Sequence, residues 1–575
     1  MKLRTLCALS LALLPFAGCA EEGPVGPERG NPGPGNQPVE TYLSCNVSLR
    51  SGDLTCAAPE VELPGSVSGA ILGGQAQYVY LESSGAAYDE TLEIFSASVA
   101  VRNFLTQPIG TSDGTTADPD GVRVFFVNDP VVTGGTGVVA VDTADGTAEF
   151  TAADQPYIRF GGVIRPGMRS SSARAFRWSV PSTVESFSFL VGVSAKVPNE
   201  GAIEPAAQIE AVQVSTGETH TCALDKEGNA YCWGNNANGQ LGIGTVGDTV
   251  PTPTPVAGGL KFKSIAAGFV HTCGVTLEGD AYCWGNAQYG RLGTGDSGSG
   301  TNITTPKLVA GGHKFTQISA SSSNTCAVTE DQDAYCWGYG STGRNGNGSL
   351  DHQLTPVPVA GEHKFSEIRS GHYHTCGLRT DGKAYCWGAQ ENGRLGNRET
   401  VGNQATPVAV DQGNLVFSTI AISSYSTCAL TMDNDAYCWG NNGELSTRLG
   451  NGGVNETVPY PVPVLGGHKF ISIAAAEFHG CAVDTTGQAW CWGRGLSGRR
   501  GDGTTAENNA LEPVMVGGPQ KFKAVFSHKS HTCGINLQDR IYCWGLNGSA
   551  HPLGVGATLN ISLPRLVSPI APSQP

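Results

Sequence analysis

From about residue 205 onward, short apolar stretches recur in one internal order. The clearest copy runs His220-Thr221-Cys222-Ala223-Leu224, then a polar tip from Asp225 to Asn229, then Ala230-Tyr231-Cys232-Trp233-Gly234. Both arms are apolar at successive positions, which suits strands covered on two faces. The order returns seven times: Cys-Trp-Gly begins at 232, 283, 336, 386, 438, 491 and 543, with a partner cysteine at 222, 273, 326, 376, 428, 481 and 533. A fixed period near 50 residues marks a repeat architecture. Setting Cys222 opposite Cys232 leaves Lys226-Glu227-Gly228 as a three-residue turn, whose last position needs positive φ. That position holds Gly228, Gly279, Gln332, Gly382, Asn434, Gly487 and Asp539. Six of the seven fit, and the same register brings each cysteine pair within disulfide range.

Two further strand candidates belong to each repeat. One precedes the hairpin, as in Lys261-Phe262-Lys263-Ser264-Ile265-Ala266-Ala267. The other is led by proline, as in Thr305-Pro306-Lys307-Leu308-Val309, and proline places it at a sheet edge. Four strands per repeat predict the blade of a propeller spanning 205–570. No proline-led strand precedes the first hairpin, and one follows the last at Leu563-Pro564-Arg565-Leu566-Val567. The expectation is that this terminal strand completes the first blade and closes the ring.

Residues 68–198 alternate instead, for example in Ile94-Phe95-Ser96-Ala97-Ser98-Val99, Ala175-Phe176-Arg177-Trp178-Ser179-Val180 and Phe187-Ser188-Phe189-Leu190-Val191. This pattern predicts a β-sandwich of immunoglobulin/fibronectin-like architecture. Ahead of it, 41–67 holds Cys45 and Cys56 in a small stapled hairpin, and 19–40 is a Pro/Gly-rich tether. The fold class is therefore all-β: a seven-bladed β-propeller preceded by a β-sandwich.

Composition supports this picture. Charged residues are 15% and glycines 79 of 575, which favours short strands and tight turns over solvated helices. A net charge of −15 argues against a nucleic-acid partner. At the amino terminus, Lys2 and Arg4 precede the apolar Leu6 to Phe16, a signal segment over 1–18. Phe16-Ala17-Gly18-Cys19 resembles a bacterial lipoprotein box, which implies cleavage before Cys19 and a lipid on its sulfur. With Cys7 removed and Cys19 lipidated, sixteen cysteines remain: Cys45 with Cys56, Cys222 with Cys232, Cys273 with Cys283, Cys326 with Cys336, Cys376 with Cys386, Cys428 with Cys438, Cys481 with Cys491, and Cys533 with Cys543. An even number in an exported chain reads as disulfides. Metal binding by His220-Thr221-Cys222 is disfavoured, because Asn324 and Ser426 replace the histidine in two copies.

These repeats resemble those of the regulator of chromosome condensation, through His-Thr-Cys-Ala-Leu, Tyr-Cys-Trp-Gly-Asn-Asn and Gly-Gln-Leu-Gly. The resemblance implies a seven-bladed propeller over nearly two-thirds of the chain. Arg344-Asn345-Gly346 and Arg499-Arg500-Gly501 depart from the pattern and suggest altered loops. The best-known member acts on a nuclear GTPase and binds chromatin, and nothing here matches its exchange site residue by residue. Exported bacterial members are similar in fold and bind proteins, so fold alone does not set function.

The expected function is a lipid-anchored envelope or cell-surface scaffold, on the outer membrane if the source has two. It is non-catalytic, without cofactor or metal, and monomeric, and it holds a protein or glycan on one propeller face. Candidate contacts lie in the loops after Cys-Trp-Gly: Asn235, Asn236, Asn238, Gln288, Tyr289, Tyr339, Gln390, Glu391, Asn392, Asn441 and Asn442. Two alternatives remain. One is a hydrolase or lyase at the central channel, for which Glu477, His479, His372, Tyr373 and His374 are the best groups. The other is a purely structural envelope protein.

Overall fold

A computed structural model describes residues 39–49, 53–57, 71–72, 79–103, 109–111, 116–148, 154–164, 170–195, 208–298, 300–443, 447–555 and 560–570. The signal segment, Cys19 and most of the tether lie outside the described residues.

Residues 39–195 form two sheets. One contains Val39–Ser48, Asp53–Ala57, Val122–Phe126, Gln155–Phe160 and Val184–Ala195; the other contains Val79–Asp89, Ile94–Asn103, Ala140–Val141 and Arg174–Ser179. Inward residues of both pool in one core around Trp178, which is fully buried among Phe95, Phe126, Phe187 and Phe189. The cysteine hairpin expected over 41–67 is not a separate unit. Val39–Ser48 pairs along its whole length with Val184–Ala195, so the Cys45–Cys56 bridge staples a strand already inside the sheet. Its apolar positions Leu43, Cys45 and Val47 find burial there rather than in a core of their own.

The remainder forms seven four-stranded antiparallel sheets in sequence order. The first comprises Ala211–Thr216, His220–Asp225, Ala230–Asn236 and Gly247–Pro255. First strands of neighbouring blades contact one another, and fourth strands are half-buried to exposed. The first strand therefore lines the axis and the proline-led fourth forms the rim. Every hairpin takes the register set by its cysteines, Cys222 opposite Cys232 and so through Cys533 opposite Cys543, with Cα separations of 4.0–4.1 Å. The third turn residue has positive φ in all seven copies, including Gln332 at 66°. Turn geometry thus overrides residue preference at the one position where the two disagree.

The expected closure by strand exchange is overturned. Each proline-led strand follows its own hairpin into the same sheet, so Ile561–Leu566 pairs with Ile541–Gly545 and completes the seventh blade. Counting seven such strands could not reveal this, because either phase consumes all of them. The ring joins by face-to-face packing instead. Ala223 and Trp233 enter one core with Ile535, Tyr542 and Trp544, and the Ala211 amide donates to the Asp539 carbonyl at 2.8 Å. Ser568, just beyond the last strand, accepts at 2.7 Å from the buried Arg102 of the amino-terminal sheets.

The two faces of one hairpin serve two neighbours. Cys222, Leu224, Ala230 and Cys232 pack against Phe262, Ile265 and Trp284 of the second blade, while Ala223 and Trp233 pack against the seventh. This is the reason for the continuous apolar pattern.

Along the axis, polar side chains satisfy the open edges of the innermost strands. The Gln213 amide accepts from the Ile265 amide N–H and donates to the Ile265 carbonyl, and Gln317 does the same to Ile368. Ser215 accepts from Ala267 N–H and Ser319 from Ser370 N–H. Left bare, such edges would template pairing with another strand.

Candidate functional site

The constant residues of the repeat build the junctions between blades. Thr272 Oγ donates to the Gln240 carbonyl of the preceding blade at 2.7 Å, and Trp284 Nε1 donates to the same oxygen at 3.0 Å. The single hydroxyl proton of Thr272 is spent there, so His220 Nε2, 2.9 Å away, must be the donor to its oxygen. The node recurs with His271 and Thr325 on the Arg291 carbonyl, with His374 and Thr427 on Arg394, and across the ring seam with His531 and Thr221 on Pro552. A glycine follows each of these loops. A Cβ on Gly242 would lie 2.6 Å from Trp284, and one on Gly554 would lie 2.5 Å from Trp233, so both the contact and the positive φ exclude a side chain. Burial holds these imidazoles far below the ordinary histidine range, His220 and His531 at about 3. His374 and His479, candidates for channel chemistry, are committed to Thr427 and Thr532.

Antiparallel order places two kinds of loop on one face: those joining first to second strands and those joining third to fourth. The residues singled out from sequence lie in the second kind, and most close their own loops. Asn236 is buried, donating to the Thr245 carbonyl and accepting from Leu241 N–H. Asn442 does the same with Gly453 and Leu449, and the buried Gln390 joins Asn397 and Gln404. Asn235 and Asn441 cap Ala237 and Gly443, and the Asn238 amide N–H is held by Gln240. Gln288 is half-buried and its amide N–H is capped by Asn286. Asn392 sits in the left-handed turn, φ 61°. Glu391 is exposed, and Tyr289 and Tyr339 meet at 5.1 Å. These last three present surface; the others are scaffold.

The two departures from Arg-Leu-Gly are compensated within their own loops. Asn345 and Arg500 occupy the buried leucine position and donate to the Gly338 and Gly493 carbonyls. The residue that otherwise fills this space is glycine in both blades, Gly340 and Gly495, and a Cβ at Gly495 would lie 2.9 Å from the Arg500 guanidinium. Arg500 is further neutralised by Asp502 at 2.7 Å.

The loops between first and second strands carry a feature that sequence reasoning reached only in part, through Glu477, His372 and Tyr373 as channel groups. At the two positions ahead of the repeat histidine, or of Asn324 and Ser426 in its place, no two copies carry the same pair: Glu218-Thr219, Phe269-Val270, Ser322-Ser323, His372-Tyr373, Ser424-Tyr425, Glu477-Phe478 and Lys529-Ser530. Side chains from blades that are not neighbours meet here. Phe269 lies 6.3 Å from His372 in a T-shaped contact, and the Lys529 ammonium sits 5.9 Å over the Phe269 ring and 2.5 Å from Glu218. Such contacts exist only near the axis, so this is the channel mouth. Tyr373 and Tyr425 meet beside it, their rings 5.5 Å apart and tilted by 42°. Burial, then Arg344, Lys529 and Arg394, push the His372 imidazole down to about 4. Burial raises the Glu218 carboxyl, against the pull of Lys529. The signal that could have found this set is variability inside an otherwise constant stretch.

The opposite face differs. Its hairpin tips and blade connections carry a ladder of ion pairs between adjacent blades: Lys314 to Asp280, Lys364 to Asp333 and Lys469 to Asp435, at 2.6, 2.6 and 2.7 Å. Its exposed apolar residues include Leu277 of the second blade, the adjacent Val416 and Met432 at the fifth, and Leu537 of the seventh. Among the described residues no group of three or more His, Cys, Asp or Glu is placed to hold a metal, and no helix is long and apolar enough to cross a membrane.

Comparison with known proteins agrees with this geometry. A sequence profile described as the regulator of chromosome condensation (RCC1) repeat matches residues 211–240, 262–291, 315–348, 365–394, 417–444 and 470–499. A second profile of the same description matches 227–275, 278–328 and 381–430. The ultraviolet-B receptor UVR8 of Arabidopsis thaliana is 32% identical over 313 residues, covering 53% of this chain and 59% of the receptor. The mitochondrial RCC1 domain-containing protein RUG3 of the same plant is 28% identical, covering 60% of this chain and 67% of RUG3. The human E3 ubiquitin-protein ligase HERC2 is 29% identical, but only 6% of it is covered. This chain thus spans less than two-thirds of the first of these relatives and a small part of HERC2. Among solved structures, human WBSCR16 aligns with a TM-score of 0.54 at 18% identity, over 59% of this chain and 94% of that one. Prp20p of Saccharomyces cerevisiae aligns at 0.52 and 22%, over 60% and 87%. Both likenesses speak to fold alone. Within residues 211–348, 365–444 and 470–499, this chain is thus similar to the repeat of the regulator of chromosome condensation (RCC1).

Proposed function

We propose that this chain is an exported, lipid-anchored envelope protein whose propeller is a non-catalytic scaffold, binding a partner protein at the channel mouth that bears Phe269, His372 and Tyr425. The observation carrying this reading is the gathering of aromatic and charged side chains on one face, at the positions where the seven copies differ. The other face carries a repeating ion-pair ladder with scattered apolar tips. Variable loops on a rigid frame are where binding usually resides, and large contiguous aromatic patches mark interaction sites. A protein partner is preferred to a glycan because Prp20p, which shares the fold, is described as binding Gsp1p and histones.

Anchoring rests on Phe16-Ala17-Gly18-Cys19 and on eight disulfides, which suit an oxidising compartment. The amino-terminal sheets are read as a β-sandwich spacer between anchor and ring. A channel enzyme is less well supported, since the junctions use His374 and His479.

The test is quantitative pull-down from native envelope extract. One bait carries Phe269→Asp and Tyr425→Asp on the mouth; the other carries Leu277→Asp and Met432→Asp on the opposite face. Capture lost only with the first bait supports the reading, and capture lost only with the second moves binding to the other face. Absence of any specific capture leaves the structural role as the better account.

A further inference from the structure

We propose that the channel mouth receives an acidic peptide segment, a glutamate- or aspartate-rich loop or chain end of the partner, whose carboxylates face an arc of buried arginines. The proposal rests on the protein-binding reading above and adds the chemistry of the partner.

Five consecutive blades place an arginine at the same repeat position: Arg291, Arg344, Arg394, Arg448 and Arg499. Each is 6% exposed or less. Their planes are stacked on mouth and loop aromatics, Arg344 over Tyr339 at 4.8 Å, Arg394 over Tyr373 at 5.1 Å and Arg499 over Phe478 at 4.9 Å. Part of their donor capacity ties neighbouring blades, since Nη1 of Arg291, Arg344 and Arg394 donates to the carbonyls of Ser322, His372 and Ser424. The charge of four of them is met only weakly. Among the described residues Arg291, Arg344 and Arg499 have no carboxylate oxygen within ion-pair reach, Arg394 has the exposed Glu391 at 3.8 Å, and Glu477 and Glu507 act on Arg499 from farther off. Arg499 Nη1 is buried with no hydrogen-bond partner. Burial lowers the pKa of Arg291, Arg344, Arg448 and Arg499 to about 10.

Weakly compensated cations such as Arg291, Arg344 and Arg499 are costly in a water-poor site, and an arriving anion recovers part of that cost. The whole chain carries −15, so a positive mouth runs against the charge of everything around it. Blades one and seven break the arc with Gln240 and Pro552. There Lys529 supplies the sixth cation, and Glu218 is already engaged by it. A cationic partner would have to displace that pair.

The experiment measures binding of labelled heptaglutamate to the full chain by fluorescence anisotropy, with heptalysine and a single-stranded oligonucleotide as competing probes. Heptaglutamate should bind preferentially, and raising salt until the Debye length falls from about 10 to about 3 Å should weaken it at least tenfold. Lys529→Glu should weaken binding about tenfold, and Glu218→Gln should tighten it severalfold. Both variants must keep the wild-type melting temperature within a few degrees; if Lys529→Glu does not, Lys529→Ala replaces it. Tighter binding of heptalysine or of the oligonucleotide overturns the proposal, as does heptaglutamate binding that ignores both substitutions. If heptaglutamate fails to bind while Phe269→Asp/Tyr425→Asp still abolishes capture from extract, the acidic chemistry falls and the mouth remains the binding face. If capture is also unaffected, both readings fall.

Discussion

Acid should loosen the propeller through its junction histidines well before its carboxylates titrate. His220, His271, His374, His479 and His531 are at most 1% exposed, and burial keeps each neutral in the folded state. The folded pKa lies below the unfolded one, so between pH 6.5 and about 3 the unfolded chain binds more protons. Stability therefore rises with pH across that window and is lost as pH falls. Near pH 5.5 each histidine contributes a slope of about 1 kcal/mol per pH unit, and five together on the order of 5 kcal/mol per unit. Glu218, raised by burial, acts in the opposite sense, but it is a single group. Asp539, held at about 2 by Lys226 and Lys523, enters only at lower pH. The assay is equilibrium urea unfolding with disulfides intact, from pH 7.5 to 4.5, followed by tryptophan fluorescence. Of the nine tryptophans only Trp178 lies outside the ring, so the signal reports the blades. His271→Asn/His374→Asn borrows the asparagine that the third blade already uses at Asn324; because His372 and His528, both lowered to about 4, act in the same sense, it should remove about a quarter to a third of the slope. Stability independent of pH over this range, or equal slopes in wild type and variant, would refute the reasoning.

Three further outcomes follow from the same geometry. Gln332→Gly should stabilise the propeller by about 1 kcal/mol, because Gln332 is held at φ 66° where glycine carries no Cβ penalty; a lower urea midpoint would contradict this. Thr325→Val leaves His271 Nε2–H without an acceptor and takes one of two donors from the Arg291 carbonyl, so it should cost about 1–3 kcal/mol in the same assay. Cys273→Ala/Cys283→Ala opens a loop of ten-residue separation and should cost about 3 kcal/mol on the chain-entropy model, visible as a lower melting temperature without change in native circular dichroism.

Hairpin register, disulfide pairing and blade composition were legible because they are local: two cysteines ten residues apart and a turn residue with positive φ leave one arrangement. The phase of the fourth strand was not legible. Pairing Gly247–Pro255 backward to Ala230–Asn236 or forward to the next blade satisfies the same pattern, and only the connection through Gly258-Gly259 decides. The cysteine hairpin was read as independent for a similar reason, since its partner Val184–Ala195 lies more than a hundred residues away. In the loops after Cys-Trp-Gly, asparagine was read as surface, although Asn236 and Asn442 are buried caps; polar type alone does not tell a contact from a turn.

The junction chemistry also explains why the mouth is free to diversify. Four seams are held by a threonine, a tryptophan, a histidine and one loop carbonyl, and the others keep part of that set; none of these side chains comes from the two residues ahead of the histidine position. Those residues can become Glu, Phe, His, Lys or Tyr at no cost to the ring. The seventh blade shows how far this freedom extends. Its first strand, Phe522–His528, runs on until His528 pairs with His531, so the loop shortens to Lys529-Ser530 and Lys529 adopts a left-handed φ of 29°. No segment of the first profile matches there, yet the sheet keeps its four strands and its disulfide. The departure spends local backbone strain to set one ammonium against Glu218 and Phe269 at the axis. Strain held at one loop of seven, on the face where the copies differ most, fits the binding role proposed for that face better than a uniform structural ring.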